Sequence, residues 1–177
     1  LVQENDKIAI CISGGKDSML MAKLFQELKR HNKFHFDLVF LVMDPGYNEM
    51  NRQIIENNAK LLDIPITVFE SDIFDAVYEI EKSPCYLCAR MRRGYLYSHA
   101  QKMGCNKIAL GHNEDDVLET FLLNLFYTGS IGTFSPVSYM DRTGITLIRP
   151  LIYTPEKETK RFVKKNNLNV MSKVCPM

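Results

Sequence analysis

The stretch ICISGGKDS, residues 10–18, decides the fold. It continues an apolar, β-branched run that begins at Lys7, which is typical of a buried strand. The run breaks at Ser13-Gly14-Gly15, and apolar residues then recur at the spacing of a helix: Leu20, Met21, Leu24, Phe25 and Leu28. The pattern predicts a strand, a glycine-rich turn and a helix in direct succession.

Strands and helices alternate along the rest of the chain. Further buried strands are predicted at 36–43, 66–69, 107–110 and 145–148, with helices marked by residues 54–62, 117–126 and 155–166. Helix 117–126 is expected to be strongly buried, its apolar stripe forming core. This alternation predicts a single α/β domain over residues 1–177, with a Rossmann-like parallel sheet and helices on both faces. Ligands of such sheets bind beyond the carboxyl ends of the strands.

Composition excludes several classes of protein. With 177 residues, 46% hydrophobic and 24% charged, the chain can bury one sizeable core and is not disordered. Its longest strongly apolar run, 38–43, is too short to cross a bilayer, and no secretory leader is expected. The net charge of +1 excludes a globally basic nucleic-acid binder but allows a local basic patch.

The cysteine usage indicates a reducing compartment. Five cysteines, an odd number without a secretory segment, argue against a disulfide scaffold and predict a cytoplasmic protein. Cys11 and Cys105 lie in or beside predicted strands and are expected to be small buried hydrophobic residues.

The glycine-rich turn is typical of a phosphate cradle. Glycines let the backbone approach an anion, and the exposed amides and dipole at a helix start favour negative charge. Lys16 adds a charge, and the hydroxyls of Ser13 and Ser18 add hydrogen-bond donors. The turn is not a Walker A loop, because Ile10 stands at the first glycine and Asp17 at the Ser/Thr position.

A C-x-x-C pair at Cys85 and Cys88 follows a proline and opens a predicted helix. The two cysteines, at i and i+3, share one helical face, and thiolates ligate iron–sulfur clusters and zinc. Cys175 is the natural third ligand of a cluster. The alternatives are a zinc site completed by His99 or His112, or a redox pair, and spacing alone does not decide between cluster and zinc.

The segment GHNEDDVLET, residues 111–120, ends one predicted strand and begins a helix. Asp115 and Asp116 are candidate Mg²⁺ ligands beside bound phosphates, and His112 is a candidate for proton transfer. Gly111 and His112 are also candidate nucleotide contacts. Alternatively, Asn113 caps the helix and the acidic residues merely favour its positive end.

The stretch SGGKDS resembles the signature of the PP-loop ATP pyrophosphatases. The resemblance implies cleavage of ATP between its α- and β-phosphates and adenylation of a carbonyl oxygen. It places the adenine near Met43 and Asp44. It also implies that six residues hold the pyrophosphate end of ATP: Ser13, Gly14, Gly15, Lys16, Asp17 and Ser18. Lys16 and Asp17 are expected to be catalytic as well.

The C-x-x-C-x-R-x-R-R-G and G-H-N-E-D-D-V-L-E-T motifs, with residues 125–129 and 148–151, resemble the tRNA 2-thiocytidine synthetase branch of that family. The resemblance implies that Cys85, Cys88 and Cys175 bind a [4Fe-4S] cluster whose open iron accepts an extra sulfide. It further implies Arg92 as the residue that contacts the base, and Asp115 or Asp116 as the Mg²⁺ ligand.

This resemblance implies ATP-dependent thiolation of a tRNA pyrimidine. The C2 oxygen leaves poorly until adenylation converts it into AMP, after which sulfur replaces it. Expected partners are tRNA, a sulfur donor such as a cysteine desulfurase persulfide, and a second copy of the chain. The alternatives are another PP-loop tRNA-modifying ligase, of 2-thiouridine or lysidine type with structural zinc, and a non-catalytic nucleotide-binding module.

Two groups of surface residues are candidates for RNA contact. The basic stripe of helix 155–166 fits either an RNA backbone or an ordinary solvated face: Lys157, Lys160, Arg161, Lys164 and Lys165. Arg90, Arg92 and Arg93 adjoin the cysteine pair, and Tyr95 and Tyr97 are candidates for stacking on a base.

Overall fold

A computed structural model of the protein describes residues 1–31, 33–78 and 84–171. In the described ranges, six strands and six α-helices follow one another: β1 (Lys7–Ile12), α1 (Lys16–His31), β2 (Asp37–Asp44), α2 (Glu49–Leu61), β3 (Ile66–Glu70), α3 (Ile73–Tyr78), α4 (Pro84–Lys102), β4 (Lys107–Ala109), α5 (Glu114–Leu123), β5 (Val137–Met140), β6 (Ile145–Ile148) and α6 (Glu156–Lys165). A π-helical turn, Asn124–Thr128, continues α5.

The strands form one sheet in the order β3-β2-β1-β4-β6-β5. All neighbours pair parallel except β5 and β6, which are antiparallel. The predicted α/β class with a parallel sheet is therefore confirmed, and five predicted strands occur within one residue of their expected bounds. β5, α3 and the π-helical turn were not predicted.

Alternation along the central strands separates two apolar layers. Ile8, Ile10 and Ile12 of β1 point into a core shared with α1, while Ala9 and Cys11 point to the opposite face, which is covered by the second half of α4. Helices thus cover both faces, which explains why these strands are apolar throughout rather than alternating. Cys11 and Cys105 are buried, as expected.

The prediction that helix 117–126 is core was wrong. No residue of α5 is buried, and large apolar side chains on it and on the π-helical turn stand more than a third exposed: Leu118, Leu122, Leu123, Leu125 and Phe126. Helical spacing identifies an apolar face but does not tell whether another element of the same chain covers it.

None of the helices in the described part of the chain is long and apolar enough to cross a membrane.

A buried ion pair fixes the amino-terminal edge of the sheet. The Lys107 ammonium lies 2.7 Å from a carboxylate oxygen of Asp6, and both side chains are at most 10% exposed. Asp6 also accepts hydrogen bonds from the Gln3 amide and the Asn106 side chain. Burial tends to raise the pKa of Asp6, but these bonds outweigh it and lower the pKa below its ordinary value.

We expect Asp6→Asn to reduce the free energy of unfolding by about 3 kcal/mol or more, because the substitution leaves the Lys107 ammonium buried without a counter-charge. Urea unfolding at pH 7 measures the change. Asp141→Asn, on the exposed turn between β5 and β6, is the matched control and should change it by less than about 0.5 kcal/mol. Equal effects of the two variants would show that the pair contributes nothing.

Candidate functional site

A cavity of about 750 Å³ opens at the carboxyl ends of the central strands. Its volume falls within the ~300–1,000 Å³ usual for small-molecule sites. Six of the predicted site residues line it: Ser13, Ser18, Met43, Arg92, Gly111 and His112. The parallel topology brings them together, because the loops after β1, β2 and β4 all leave the sheet at this edge.

The glycine-rich loop is held by its own serines. The buried Ser18 hydroxyl donates to the Gly15 carbonyl at 2.9 Å and accepts from the Ser13 amide at 3.2 Å. Gly14 has φ +83°, and a Cβ there would collide with Met171 and Ile55. The loop therefore requires glycine at this position, and it presents the first turn of α1, whose amides have no intrahelical partner, to the cavity edge.

Lys16 lies between two carboxylates. Its ammonium is 3.0 Å from Asp17 Oδ2 and 3.0 Å from Glu156 Oε1, and the side chain is partly exposed. Burial lowers the pKa of Lys16, but the hydrogen bonds to Glu156 and Asp17 raise it above its ordinary value overall. Lys16 is therefore a fixed positive charge at the start of α1 throughout the neutral range.

The loop after β4 packs directly on the loop after β1. A Cβ at Gly111 would lie 3.1 Å from the Ser18 amide nitrogen, so only glycine permits this approach without displacement. Asn113, only 2% exposed, donates from its side-chain amide to Asp17 Oδ1 at 3.0 Å. Its own Oδ1 accepts from the Asp116 amide and caps α5. The Asn113 side chain thus joins the glycine-rich loop to the segment 111–120.

Asp115 and Asp116 both take part in helix caps. Asp116 Oδ2 accepts from the Asn113 amide, completing a capping box, and Asp115 Oδ2 accepts from the Glu156 amide at the start of α6. The capping alternative for this motif is therefore present in the structure. Mg²⁺ binding by Asp115 or Asp116 stays a prediction.

The turn after β2 is organised by the buried Asp44. Its Oδ1 accepts from the amides of Gly46 and Tyr47 at 2.9 and 2.6 Å, and its Oδ2 lies 3.7 Å from Arg52. Met43, which precedes it, is buried and lines the cavity. Of the two expected adenine contacts, Met43 therefore lies at the cavity while Asp44 shapes the adjoining turn, and their role stays a prediction.

Helix α4 connects the cysteine pair to the cavity. Cys85 is exposed and Cys88 is buried one turn further along, while Arg92, another turn on, lines the cavity and donates to the Tyr47 hydroxyl at 3.0 Å. Burial raises the pKa of the Tyr47 hydroxyl, and Asp44 and Cys88 raise it further. Arg92 lowers it, but the pKa stays above its ordinary value. Tyr47 therefore lies close to both Cys88 and Arg92.

The zinc alternative built on His99 or His112 was wrong. His99 lies eleven residues beyond Cys88 on α4, about 16 Å along the helix, and its ring stacks on Phe69 at 3.7 Å. Over the described ranges, no three His, Cys, Asp or Glu side chains form a group able to hold a metal. The third predicted ligand, Cys175, lies outside the described residues.

The structure adds residues that the sequence analysis did not select. Arg149, directly after β6, lines the cavity with Phe134 and Ser138. The Arg149 guanidinium lies over the Phe134 ring, with Cζ 5.2 Å from its centroid, and the His112 ring lies 4.7 Å from the same centroid. The rule that ligands lie beyond strand ends selects Arg149 as well as the three loops chosen from their motifs.

Burial affects the charge of His112, which lies beside Arg149 in the cavity wall. The pKa of His112 is lowered by burial and by the neighbouring Arg149, so the imidazole is neutral at pH 7. His112 Nδ1 and Arg149 Nε are buried and have no hydrogen-bond partner within the described structure. An unsatisfied buried polar atom costs about 1–3 kcal/mol, and such atoms concentrate at functional sites.

The candidate RNA contacts occupy two surfaces. The five basic residues of α6 are all exposed, opposite Phe162 and Val163, which pack on the core. Arg90 is exposed, Arg93 and Tyr97 line the cavity, and the Tyr95 hydroxyl donates to Asp72. Their contacts with RNA stay predictions.

The fold and the site together define an α/β domain with a glycine-rich loop and a helix start at the carboxyl edge of a parallel sheet, the place where such sheets bind nucleotides. The family model described as "PP-loop domain" matches residues 2–172. The chain therefore belongs to the PP-loop family, as its motifs indicated.

Curated relatives indicate which branch of the PP-loop family this chain is similar to. The chain is similar to two proteins named tRNA-cytidine(32) 2-sulfurtransferase, from Citrifermentans bemidjiense and Geobacter metallireducens. It is 39% and 37% identical to them, over 100% of its own length and 71% and 70% of theirs. The expected resemblance to the tRNA 2-thiocytidine synthetase branch is confirmed.

Solved structures share the fold. The chain is similar to the U34-tRNA thiolase of Methanococcus maripaludis, solved with its [4Fe-4S] cluster, at a TM-score of 0.78 and 23% identity. The match covers 98% of this chain and 61% of the thiolase. The NMN synthetase of Francisella tularensis matches at a TM-score of 0.55 and 19% identity, over 94% of this chain and 63% of that one.

We expect Asn113→Asp to weaken binding of α,β-methylene ATP by about 10-fold or more, because aspartate retains the helix cap but turns a donor to Asp17 into a second negative charge. Isothermal titration calorimetry measures the affinity. Asn48→Asp, at the cap of α2, is the matched control, since Asn48 caps through its Oδ1 alone. Affinity within twofold of the unsubstituted protein would contradict this role of Asn113.

The lowered pKa of His112 predicts a loss of stability in acid. An unfolded histidine binds protons below about pH 6.5, whereas folded His112 does not, so folding loses up to about 1.4 kcal/mol per pH unit below 6.5 until the lowered pKa is reached. His112→Gln should remove this dependence between pH 7.5 and 5.5 in urea unfolding. His31→Gln, at an exposed position, should leave it intact. Parallel curves for the protein and His112→Gln would be inconsistent with a buried neutral imidazole.

Proposed function

We propose that this protein is an ATP-dependent tRNA thiolase that adenylates the C2 oxygen of a cytidine and replaces that oxygen by sulfur. The curated relatives are named for sulfur transfer to cytidine 32 of tRNA, which supports the same substrate position here. We also propose that residues 1–177 act as one PP-loop ATP-binding domain, in the cytoplasm, where its RNA substrate is found.

One observation carries this proposal: the helix that bears the cysteine pair also lines the cavity of the glycine-rich loop. Ala89 and Arg92 of α4 share that cavity with Ser13 and Ser18. Cys88 and Arg92 are four residues apart, about 6 Å along the helix, and share one face. A base activated in the cavity would therefore lie within reach of a sulfur source held at the start of α4.

The first step uses the glycine-rich loop and three converging helix starts. The C2 oxygen attacks the α-phosphorus of ATP, an O–P bond forms, and the bond to pyrophosphate breaks. Lys16 and the amides at the start of α1 stabilise the negative charge that grows on pyrophosphate. α5 and α6 begin beside the same point, because Asp115 accepts from the Glu156 amide and Glu156 pairs with Lys16.

The acidic first turns of these helices support a bound divalent cation. Asp17 lies in the first turn of α1, Asp115 and Asp116 in that of α5, and Glu156 in that of α6. Asp17 and Glu156 pair with Lys16, and Asp115 is joined to the Glu156 amide, so carboxylates beside the loop would repel a triphosphate unless a cation lies between them. Mg²⁺ binds one or two carboxylates together with phosphate oxygens, so we propose that Asp115 or Asp116 completes its coordination with ATP.

The donor chemistry at the start of α4 fits an iron–sulfur cluster as far as the structure describes it. Cys85 and Cys88 lie one turn apart on a helix start, and thiolates are the ligands that clusters require. We propose Cys175 as the third ligand. A cluster bound there would supply the sulfur-transfer chemistry, the sulfur coming from a donor such as a desulfurase persulfide. Arg92, held by Tyr47, would orient the base toward that end of the cavity.

The test is thiolation of a tRNA transcript carrying cytidine 32, with ATP, Mg²⁺ and sulfide, using anaerobically purified protein. Mass spectrometry of digested nucleosides should show 2-thiocytidine, with AMP and pyrophosphate formed in equal amounts. Lys16→Ala should slow pyrophosphate release by about 100-fold, because it removes the fixed charge beside the leaving group. Cys85→Ala should abolish 2-thiocytidine while pyrophosphate release continues.

Cys105→Ala is the matched control for the cysteine substitution, since Cys105 is buried against the sheet and away from α4's first turn. It should retain both activities. ATP binding without pyrophosphate release in the presence of tRNA would refute catalysis. Stoichiometric zinc without iron and sulfide in the purified protein would refute the cluster.

A further inference from the structure

The part of the cavity wall that follows β4 and β6 contains two buried polar atoms that lack partners, Arg149 Nε and His112 Nδ1. They are the two such side-chain atoms in the described ranges, and both residues line the same cavity and contact the Phe134 ring. Two unsatisfied groups on one wall of a cavity indicate that this wall is shaped to bind a polar ligand.

The orientation of Arg149 is fixed by the loop before β5. Its Nη1 donates to the Ser135 carbonyl at 2.5 Å and lies 3.4 Å from the Ser138 hydroxyl, and its plane lies over Phe134. The anchored Nη1 leaves the opposite edge of the guanidinium, which carries Nε, as the edge for a ligand. A guanidinium edge offers two parallel N–H donors and no acceptor.

The strand order separates this wall from the phosphate loop. Arg149 follows β6, which is two strands from β1, or about 10 Å at the usual strand spacing. The expected adenine contacts follow β2, on the other side of β1. A nucleotide over β2 and β1 therefore leaves the part of the cavity over β4 and β6 to the group that attacks its α-phosphate.

We propose that Arg149 is a specificity-determining residue that binds the O2 and N3 atoms of the acceptor cytosine through the Nε edge of its guanidinium. Cytosine presents two adjacent acceptors, O2 and N3, to such a pair of donors. Uracil carries a hydrogen on N3, so a guanidinium N–H would meet another N–H donor there instead of an acceptor. The pairing thus selects cytosine over uracil at the atom that is adenylated, and this inference rests on the proposed function.

The experiment compares two tRNA transcripts that differ only in cytidine or uridine at position 32, with tRNA-dependent pyrophosphate release as the readout. The unsubstituted protein should prefer the cytidine transcript. Arg149→Lys retains the charge but loses the paired donors, so kcat/KM on the cytidine transcript should fall by about 10- to 100-fold. The ratio of kcat/KM on the cytidine transcript to that on the uridine transcript should approach one. Affinity for α,β-methylene ATP should stay within twofold.

Two further variants distinguish recognition from damage to the fold. Ser138→Ala removes one anchor of Nη1 and should reduce the preference in the same direction by a smaller factor. Arg142→Lys, on the exposed turn before β6, is the matched control and should behave as the unsubstituted protein. Thermal unfolding of each variant verifies that it is folded.

An unchanged preference in a folded Arg149→Lys protein would overturn the inference and leave the proposed function intact. Weakened ATP-analogue binding with an unchanged preference would overturn it in favour of a phosphate contact. Absence of pyrophosphate release by the unsubstituted protein on either transcript would refute the proposed function, and the inference with it.

Discussion

The hydrogen bond from Asn113 to Asp17 joins the two loops on which the site is built. Those loops follow β1 and β4, adjacent strands whose register is fixed by the sheet but whose loops are free to diverge beyond it. The bond closes a circuit of contacts, because Asp17 pairs with Lys16, Lys16 with Glu156, and the Glu156 amide with Asp115, two residues beyond Asn113. Three helix starts are thereby held at one point.

In this circuit Asp115 and Asp116 cap helices in a way that does not exclude the Mg²⁺ binding proposed for them. Asp115 Oδ2 accepts the hydrogen bond that caps α6, and Asp116 Oδ2 accepts the one that completes the α5 capping box. A carboxylate has about four lone-pair sites, so one capping bond leaves capacity for a cation. The caps also hold the carboxylates in place, which lowers the entropy that a metal ion or a phosphate would otherwise have to remove on binding.

The sequence predicts the sheet well because its strands are short apolar runs buried on both faces, a pattern with a simple cause. It predicts the loops after β1 and β4 well because Gly14 combines a positive φ with no room for a Cβ, and a Cβ at Gly111 would crowd the Ser18 backbone. It fails for α5, whose apolar face looks like core at the level of spacing alone. It also misses β5, where VSYM is a short antiparallel edge strand with polar residues.

Arg149 shows why a site is harder to predict than a fold. Arg149 lies in the stretch 148–151, but the family resemblance of that stretch gives it no role of its own, and a lone arginine after a strand is usually a surface residue. Its significance comes from three facts that exist only in three dimensions: β6 lies beside β4, the loop before β5 anchors one end of the guanidinium, and Phe134 separates it from solvent on one face. The glycine loop is the proposed site of the nucleotide phosphates. We assign the choice of acceptor to Arg149 because β6 lies two strands from the glycine loop, at the far end of the same sheet edge.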